Sequence, residues 1–169
     1  MQWTWNGYTI RPAQASDAEN YFAALFDPLE PEVARLTGST GQYPREVVVP
    51  FFLRCVSDPD RHDFLIFDPG SQIIGESVIN ELNPQERSAN YRIAITGAAN
   101  RGRGVGTWAV RTACAFAFET LHLQRLTLSV LVDNPRALHV YQKCGFEPCG
   151  QEDGEILMEL TRQMWLNCC

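Results

Sequence analysis

The stretch Asn100-Arg101-Gly102-Arg103-Gly104-Val105-Gly106-Thr107 constrains this chain more than any other, with glycine at alternate positions and an apolar helical run following at once. Alternating glycine lets a backbone turn tightly and approach a ligand without Cβ obstruction. The first N–H groups of the following helix lack intrahelical partners and sit at the positive end of its dipole. Loop and helix together suit phosphate oxygens, and Arg101 and Arg103 add full charges beside them. A plain surface turn before a helix would use the same residues, so the loop alone leaves both readings open.

Two other phosphate-binding patterns fit poorly. The loop lacks Gly-Lys-Ser/Thr, so it is not a P-loop. Gly104-Val105-Gly106-Thr107-Trp108-Ala109 matches the loose dinucleotide pattern G-x-G-x-x-A, and Asp133 could serve as a ribose-binding acid. Against this, the preceding strand ends near Thr96, too far ahead for the tight strand-to-glycine turn, and the unit lies mid-chain after an antiparallel set.

A chain of 169 residues suits one domain, 1–169, with a sizeable core. With 45% hydrophobic and 20% charged residues it reads as soluble and globular. A net charge of −6 argues against nucleic acid or an anionic membrane as the main partner. No secretory leader or membrane-length apolar run is apparent, so a cytoplasmic location is expected. The six cysteines, Cys55, Cys114, Cys144, Cys149, Cys168 and Cys169, show neither zinc spacing nor a disulfide framework, so no metal is expected. Cys114 reads as core, and Cys168 and Cys169 as exposed thiols.

Along the chain, Tyr8–Arg11 reads as a strand. Ser16-Asp17-Ala18-Glu19 has capping-box spacing and starts a helix through Asn20–Leu25. Residues 30–41 read as irregular or weakly helical. Pro44 opens a helix over Arg45–Val56 with Pro50 as a kink. Strands follow at His62–Phe67, Gln72–Leu82 and Ser88–Thr96. Thr107–Leu121 is a helix buried on most sides. Leu126–Val132 is an apolar run expected of a strand covered on both faces. Asn134-Pro135 supplies an N-cap and first position for a helix carrying Ala137, Val140, Tyr141 and Cys144 on its inner face, and Gly145 stops it. Phe146–Pro148 and Glu155–Leu160 close the chain as strands. The order predicts a mixed α/β fold.

Arg101-Gly102-Arg103-Gly104-Val105-Gly106 resembles the Q/R-x-x-G-x-G/A signature of the GNAT acetyltransferase superfamily. Asn134 to Phe146 is similar to its downstream N-x-x-A-x-x-x-Y-x-K-x-G-F motif, about 28 residues further on. Together the two are specific, and the resemblance runs from about Ile73 to Glu159. Among branches, the chain looks most like ribosomal-protein N-terminal and spermidine N-acetyltransferases. The resemblance implies the GNAT fold: a central twisted, mostly antiparallel sheet of about seven strands, flanked by about four helices.

It also implies acetyl-CoA as co-substrate and a primary amine as acceptor. The pyrophosphate would sit on N–H groups from Arg101 to Thr107, namely Arg101, Gly102, Arg103, Gly104, Val105, Gly106 and Thr107. The strand Tyr91–Ile95 would pair with the pantetheine arm, with Ile93, Ala94 and Ile95 facing the thioester carbonyl where negative charge develops. Asn134 would contact the CoA arm or a water, although it is fully explained as a helix cap. Lys143, with Arg136 nearby, would attend the phosphates or stay solvated. Tyr141 would be the catalytic acid for the departing thiolate.

The acceptor amine must also lose a proton. Glu81 aligns with an acidic position of related polyamine acetyltransferases, and Glu76, on the opposite face of a regular strand, is the second candidate. The acceptor should lie between the helices of residues 16–56 and the loop Gly150–Glu155. Acids there (Glu152, Asp153 and Glu155, with Asp27, Glu30 and Glu32) could guide a cation or simply keep loops in water. Monomer and homodimer are both compatible. The competing reading is a catalytically inactive CoA-binding sensor or interaction module.

Overall fold

A computed structural model describes residues 1–39 and 43–168, with Cys168 described by its backbone alone. The expectations for Thr40, Gly41, the Cys168 thiol and Cys169 lie outside the described residues. Among the described residues, eight strands form one sheet. They are β1 (Trp3–Trp5), β2 (Tyr8–Pro12), β3 (His62–Phe67), β4 (Ile73–Asn83), β5 (Ser88–Ile95), β6 (Arg125–Leu131), β7 (Glu147–Glu152) and β8 (Glu155–Thr161). Their order across the sheet is β1-β2-β3-β4-β5-β6-β8-β7, and every pair is antiparallel except β5 with β6.

That parallel pair is short. Ser88, Ala89 and Asn90 pair with Arg125, Leu126 and Thr127, and the pairing goes no further. Beyond Asn90 and Thr127 the strands part, so Tyr91–Ile95 pairs with β4 on one edge and leaves its other edge open. A gap in an otherwise paired sheet exposes backbone donors and acceptors that need partners.

Helices cover both faces. α1 (Ala18–Leu25), α2 (Pro31–Leu36) and α3 (Arg45–Ser57) precede the central strands, and α4 (Val105–Ala115), α5 (Pro135–Lys143) and α6 (Arg162–Cys168) follow them. Tyr21, Leu25, Val48, Val49 and Phe52 from α1 and α3 bury one sheet face with Leu65 and Ile73. The larger core, on the other face, joins Ile10, Phe64, Ile66, Ile79 and Tyr91 to Ala109, Val110 and Ala113 of α4. The hydroxyls of Tyr91 and Ser77 meet there at 3.1 Å, so the ring buries without stranding its oxygen.

Several sequence expectations need correction. The Ser16–Glu19 capping box does not form: the Asp17 carboxylate instead accepts from the Gln14 N–H at 2.8 Å and grips Arg11, while Glu19 pairs with Arg45. The short strand Trp3–Trp5 and the final helix were not foreseen, and of the irregular or weakly helical stretch 30–41 the described part holds the helix Pro31–Leu36. The predicted helix Thr107–Leu121 is α-helical only to Ala115 and continues as a π-helical turn over Phe116–Thr120. Leu126–Val132 is not covered on both faces. Leu126, Leu128 and Val130 are buried, whereas Ser129 is exposed and lines a cavity with half-buried Leu131, because the outer face of β6 fronts the gap left by β5. Cys114 is core, as expected.

Candidate active site

The gap between β5 and β6 widens into a cavity of about 850 Å³. Its floor is Ile93–Thr96 and Ser129–Leu131, the two sides of the parting strands. The glycine loop and α4 close one end, α5 one flank, and α1, α2 and α3 the other end.

At the loop, Gly102 and Gly104 take φ of 74° and 86°, a left-handed conformation that favours glycine. Gly104 caps α4 and the Trp108 N–H returns to its carbonyl at 2.9 Å. Among the described residues, the N–H groups of Gly102 through Thr107 donate to nothing. Six successive donors beside a helix N-terminus form an anion cradle, and the lining of the cavity includes Gly102, Gly104, Gly106 and Thr107. These donors fit a pyrophosphate. A Cβ on Gly104 would meet Trp5 Cη2 at 3.0 Å, whereas one on Gly106 would find only Ile95 Cδ1 at 3.7 Å. The protein itself therefore has room for a side chain at Gly106, and the vacant surface there faces the cavity.

Arg101 is partly tied up. Its guanidinium lies 2.5 Å from Glu30 Oε1, while Glu30 Oε2 accepts the Gly97 N–H at 2.7 Å. Arg35 reaches Asp133 at 2.6 Å. Helix α2 thus straddles the opening, bound to the loop after β5 by one residue and to the loop after β6 by the other. Arg103 is exposed and is not part of the cavity lining. Of the other cations, Arg136 and Lys143 border the cavity from α5.

Asn134 begins α5 with its side-chain oxygen accepting the Ala137 N–H at 3.1 Å, and it also lines the cavity. The cap occupies the oxygen and leaves the amide NH₂ to the cavity. Two turns on, Tyr141 is 6% exposed and packs edge-on to Phe146, with ring centroids 5.9 Å apart. No described group hydrogen-bonds its hydroxyl, and no buried side-chain polar atom is left unsatisfied, so the oxygen faces the cavity. Burial, with a smaller contribution from Cys144, pushes the phenol up to about 12. It stays protonated at neutral pH and can donate. Cys144 is a poor nucleophile by comparison: burial pushes its thiol up, and its sulfur contacts the Thr107 carbonyl at 3.7 Å.

The two candidate acids are separated by the course of β4. Glu76 lines the cavity, and Tyr21 donates a 2.7 Å hydrogen bond to its Oε2. Glu81 does not line it: the register between β4 and β5 slips between Asn80 and Asn83, and Glu81 sits exposed at that bulge with φ of 55°. A bulge breaks the strand alternation that set Glu76 and Glu81 on opposite faces. Burial and then the Glu76 carboxylate raise the Tyr21 phenol far above its ordinary value, so Tyr21 remains a donor.

Sequence reasoning missed Tyr21, Arg54 and Arg92, all of which line the cavity. The alternation of Glu76, Val78, Arg92 and Ala94 across paired strands could have put Arg92 on the face of Glu76. Nothing local marks Tyr21 or Arg54. Among the described residues there is no group of three or more His, Cys, Asp or Glu side chains able to hold a metal, and no helix long and apolar enough to cross a membrane.

Comparison with known proteins accords with this geometry. Residues 8–147 match the family model of the acetyltransferase (GNAT) domain. The spermidine N(1)-acetyltransferase of Vibrio cholerae is 31% identical over 104 residues, covering 62% of this chain and 57% of that protein. The Escherichia coli K12 spermidine N(1)-acetyltransferase is 34% identical over 79 residues, covering 47% and 40%. The chain thus spans about half the length of the curated relatives it matches. The crystal structure of Vibrio cholerae spermidine N-acetyltransferase in complex with CoA and spermine shares the fold with a TM-score of 0.82 at 21% identity, over 96% of this chain and 100% of that one. A ribosomal-protein-S5-alanine acetyltransferase from Vibrio fischeri superposes with a TM-score of 0.81 at 18% identity over 98% of each chain.

Proposed function

The chain belongs to the GNAT acetyltransferase family, and from that premise we propose that it is an acetyl-CoA-dependent N-acetyltransferase acting on a primary amine by direct transfer. The observation that carries this reading is the convergence on one cavity of the donor-rich glycine loop, the Tyr141 hydroxyl and the Glu76 carboxylate. Acetyl-CoA supplies the activated acetyl group. The N–H groups of Gly102–Thr107 hold its pyrophosphate, with Arg136 and Lys143 on the same flank. The open edge of β5 at Ile93–Ile95 offers backbone groups to the pantetheine arm and donors where negative charge develops on the carbonyl.

The remaining work is proton transfer. Glu76, oriented by Tyr21, receives a proton from the acceptor ammonium through Oε1, and Tyr141 donates to the departing thiolate. Glu76 replaces Glu81 in this role because it alone of the two fronts the cavity.

A CoA-release assay across spermidine, apolar amino acids, peptide N-termini and aminoglycosides tests the proposal. Spermidine belongs in that panel because the curated relatives act on it. Turnover with any amine, abolished by omitting acetyl-CoA, is expected. Tight acetyl-CoA binding without turnover on any amine would instead establish the sensor reading.

A further inference from the structure

The charges that line the acceptor end of the cavity bear on which amine it takes. A polyamine carries several positive charges along a thin chain, and its binding calls for several carboxylates. Among the acids on residues 27–32 and 150–155, only Glu155 lines the cavity. Glu30 is committed to Arg101 and the Gly97 N–H, and Glu32 to Arg35. Among the described residues, the carboxylates in the lining are Glu155 and Glu76, the latter already holding Tyr21.

Cations outnumber carboxylates in that lining. Arg54 and Arg92 both face the cavity. Arg92 makes no side-chain ion pair or hydrogen bond with any described residue, and the Arg54 guanidinium makes, among the described residues, only a cation–π contact with Phe51, 5.8 Å from its ring centroid. The strand register sets Arg92 beside Glu76. Glu76 pairs with Ala94 and Val78 with Arg92, so Glu76 and Arg92 are diagonal neighbours on one sheet face, roughly 7–8 Å apart in the usual geometry. The wall facing them is apolar and partly open: Leu25 and Phe26 from the first helix and its end, with Val47 and Phe51 of α3 respectively 55% and 44% exposed.

We infer that the acceptor is a zwitterionic amine with an apolar body: a free α-amino acid with an aliphatic or aromatic side chain. This rests on the acetyltransferase reading above. One carbon separates amine from carboxylate in such a molecule, which matches one carboxylate beside one unpaired guanidinium. Its amine faces Glu76, its carboxylate pairs with Arg92, and its side chain lies against Leu25, Phe26, Val47 and Phe51. A guanidinium offers two parallel donors to a carboxylate, which fixes orientation as well as charge. In the transfer, the amine nitrogen forms its bond to the acetyl carbon as the C–S bond breaks. Glu76 first takes one proton from the ammonium and passes it to solvent; the second proton, shed by the nitrogen once it is bonded to the acetyl carbon, replaces through water the one that Tyr141 gives to the thiolate.

The test compares leucine, methionine and phenylalanine with their amides and with spermidine, by CoA release. The wild-type enzyme should favour each acid over its amide by about tenfold or more in kcat/KM, chiefly through KM, and turn over spermidine least. Arg92→Gln should collapse the acid-to-amide ratio to near one, and Arg92→Lys should restore part of it. A wild-type preference for spermidine, or equal rates on acid and amide, overturns the inference and leaves the acetyltransferase reading standing. No turnover on any amine overturns both. If Arg92→Gln keeps the wild-type acid preference, the carboxylate is not read at Arg92 and the assignment fails.

Discussion

The Tyr21 hydroxyl donates a 2.7 Å hydrogen bond to Oε2 of Glu76, joining α1 to the middle of β4 across 55 residues of chain. The bond leaves Oε1 free toward the cavity and fixes the carboxylate's direction. Removing the charge while keeping the shape is the cleanest probe. Glu76→Gln should lower kcat by about 10²-fold or more at neutral pH, within the usual range for a positioned base. Raising the pH should recover part of the loss, because an α-amine near pKa 8 supplies its own neutral fraction. Glu81→Gln, at the exposed bulge, should retain wild-type rates. Stopped-flow or thiol-trapping rates from neutral to alkaline pH decide it, and a deficit confined to Glu81→Gln would return the role to that residue.

Tyr141 presents its hydroxyl to the cavity with no partner among the described residues, and burial pushes the phenol up to about 12. Tyr141→Phe keeps the ring against Phe146 and removes one oxygen. Acetyl-CoA affinity should stay near wild type while kcat falls by about 10²-fold or more. Because the phenol titrates so high, the wild-type pH profile should show no limb from its ionisation below about pH 11. Wild-type turnover by the Phe variant would make Tyr141 a packing residue.

What could be read in advance was local. Glycine alternation, the Asn134-Pro135 start and the Gly145 stop each encode a backbone geometry within a few residues, and the chain adopts them, with Gly145 at φ of 96°. The strands and their pairing were legible where apolar alternation ran unbroken. What escaped depended on distant partners. Tyr21 finds Glu76, Glu30 finds Arg101 and Arg35 finds Asp133 with no signature in the intervening sequence. The three-residue strand Trp3–Trp5 was invisible because its stability comes from outside it: Trp5 stacks on Trp108 of α4 at 5.8 Å. Glu81 was picked from the family resemblance, and the sequence gives no sign of the bulge that leaves it outside the cavity lining.

The glycine loop separates two kinds of glycine. Gly104 is required by its own φ of 86° and by Trp5 at 3.0 Å, so its replacement would disturb the fold as well as any ligand. Gly106 is helical, and among the described residues an added Cβ meets only Ile95 Cδ1 at 3.7 Å. Gly106→Ala should therefore keep or raise the melting temperature, since alanine favours a helix over glycine by about 0.5–1 kcal/mol. Acetyl-CoA should bind about tenfold more weakly or worse, a cost of about 1.4 kcal/mol. Calorimetric titration with CoA reads it directly. Unchanged affinity would remove the pyrophosphate from this loop.

Stability against acid has its own anchor, away from the cavity. Arg11 on β2 grips Asp17 with two 2.7 Å bonds, and the Asp17 carboxylate also accepts the Gln14 N–H at 2.8 Å. The Asp17 side chain is 11% exposed, so the pair is shielded from solvent. The Arg11 guanidinium holds the Asp17 carboxyl below its ordinary value against the opposing effect of burial, and the Gln14 N–H adds to the same direction. A carboxyl depressed in the folded state contributes stability that is complete above its unfolded value, about 3.9, and is lost as pH falls through the lower folded value. Asp17→Asn should cost about 2–4 kcal/mol at pH 7, because it leaves the Arg11 charge half-buried and unpaired. The difference between wild type and variant should shrink as the pH drops below about 4, where the wild-type carboxyl takes up its proton and begins to resemble the amide. Urea unfolding at pH 7 and at pH 3 measures both values. An equal difference at the two pH values would show that Asp17 stabilises the turn by shape and hydrogen bonding alone, with no contribution from its charge.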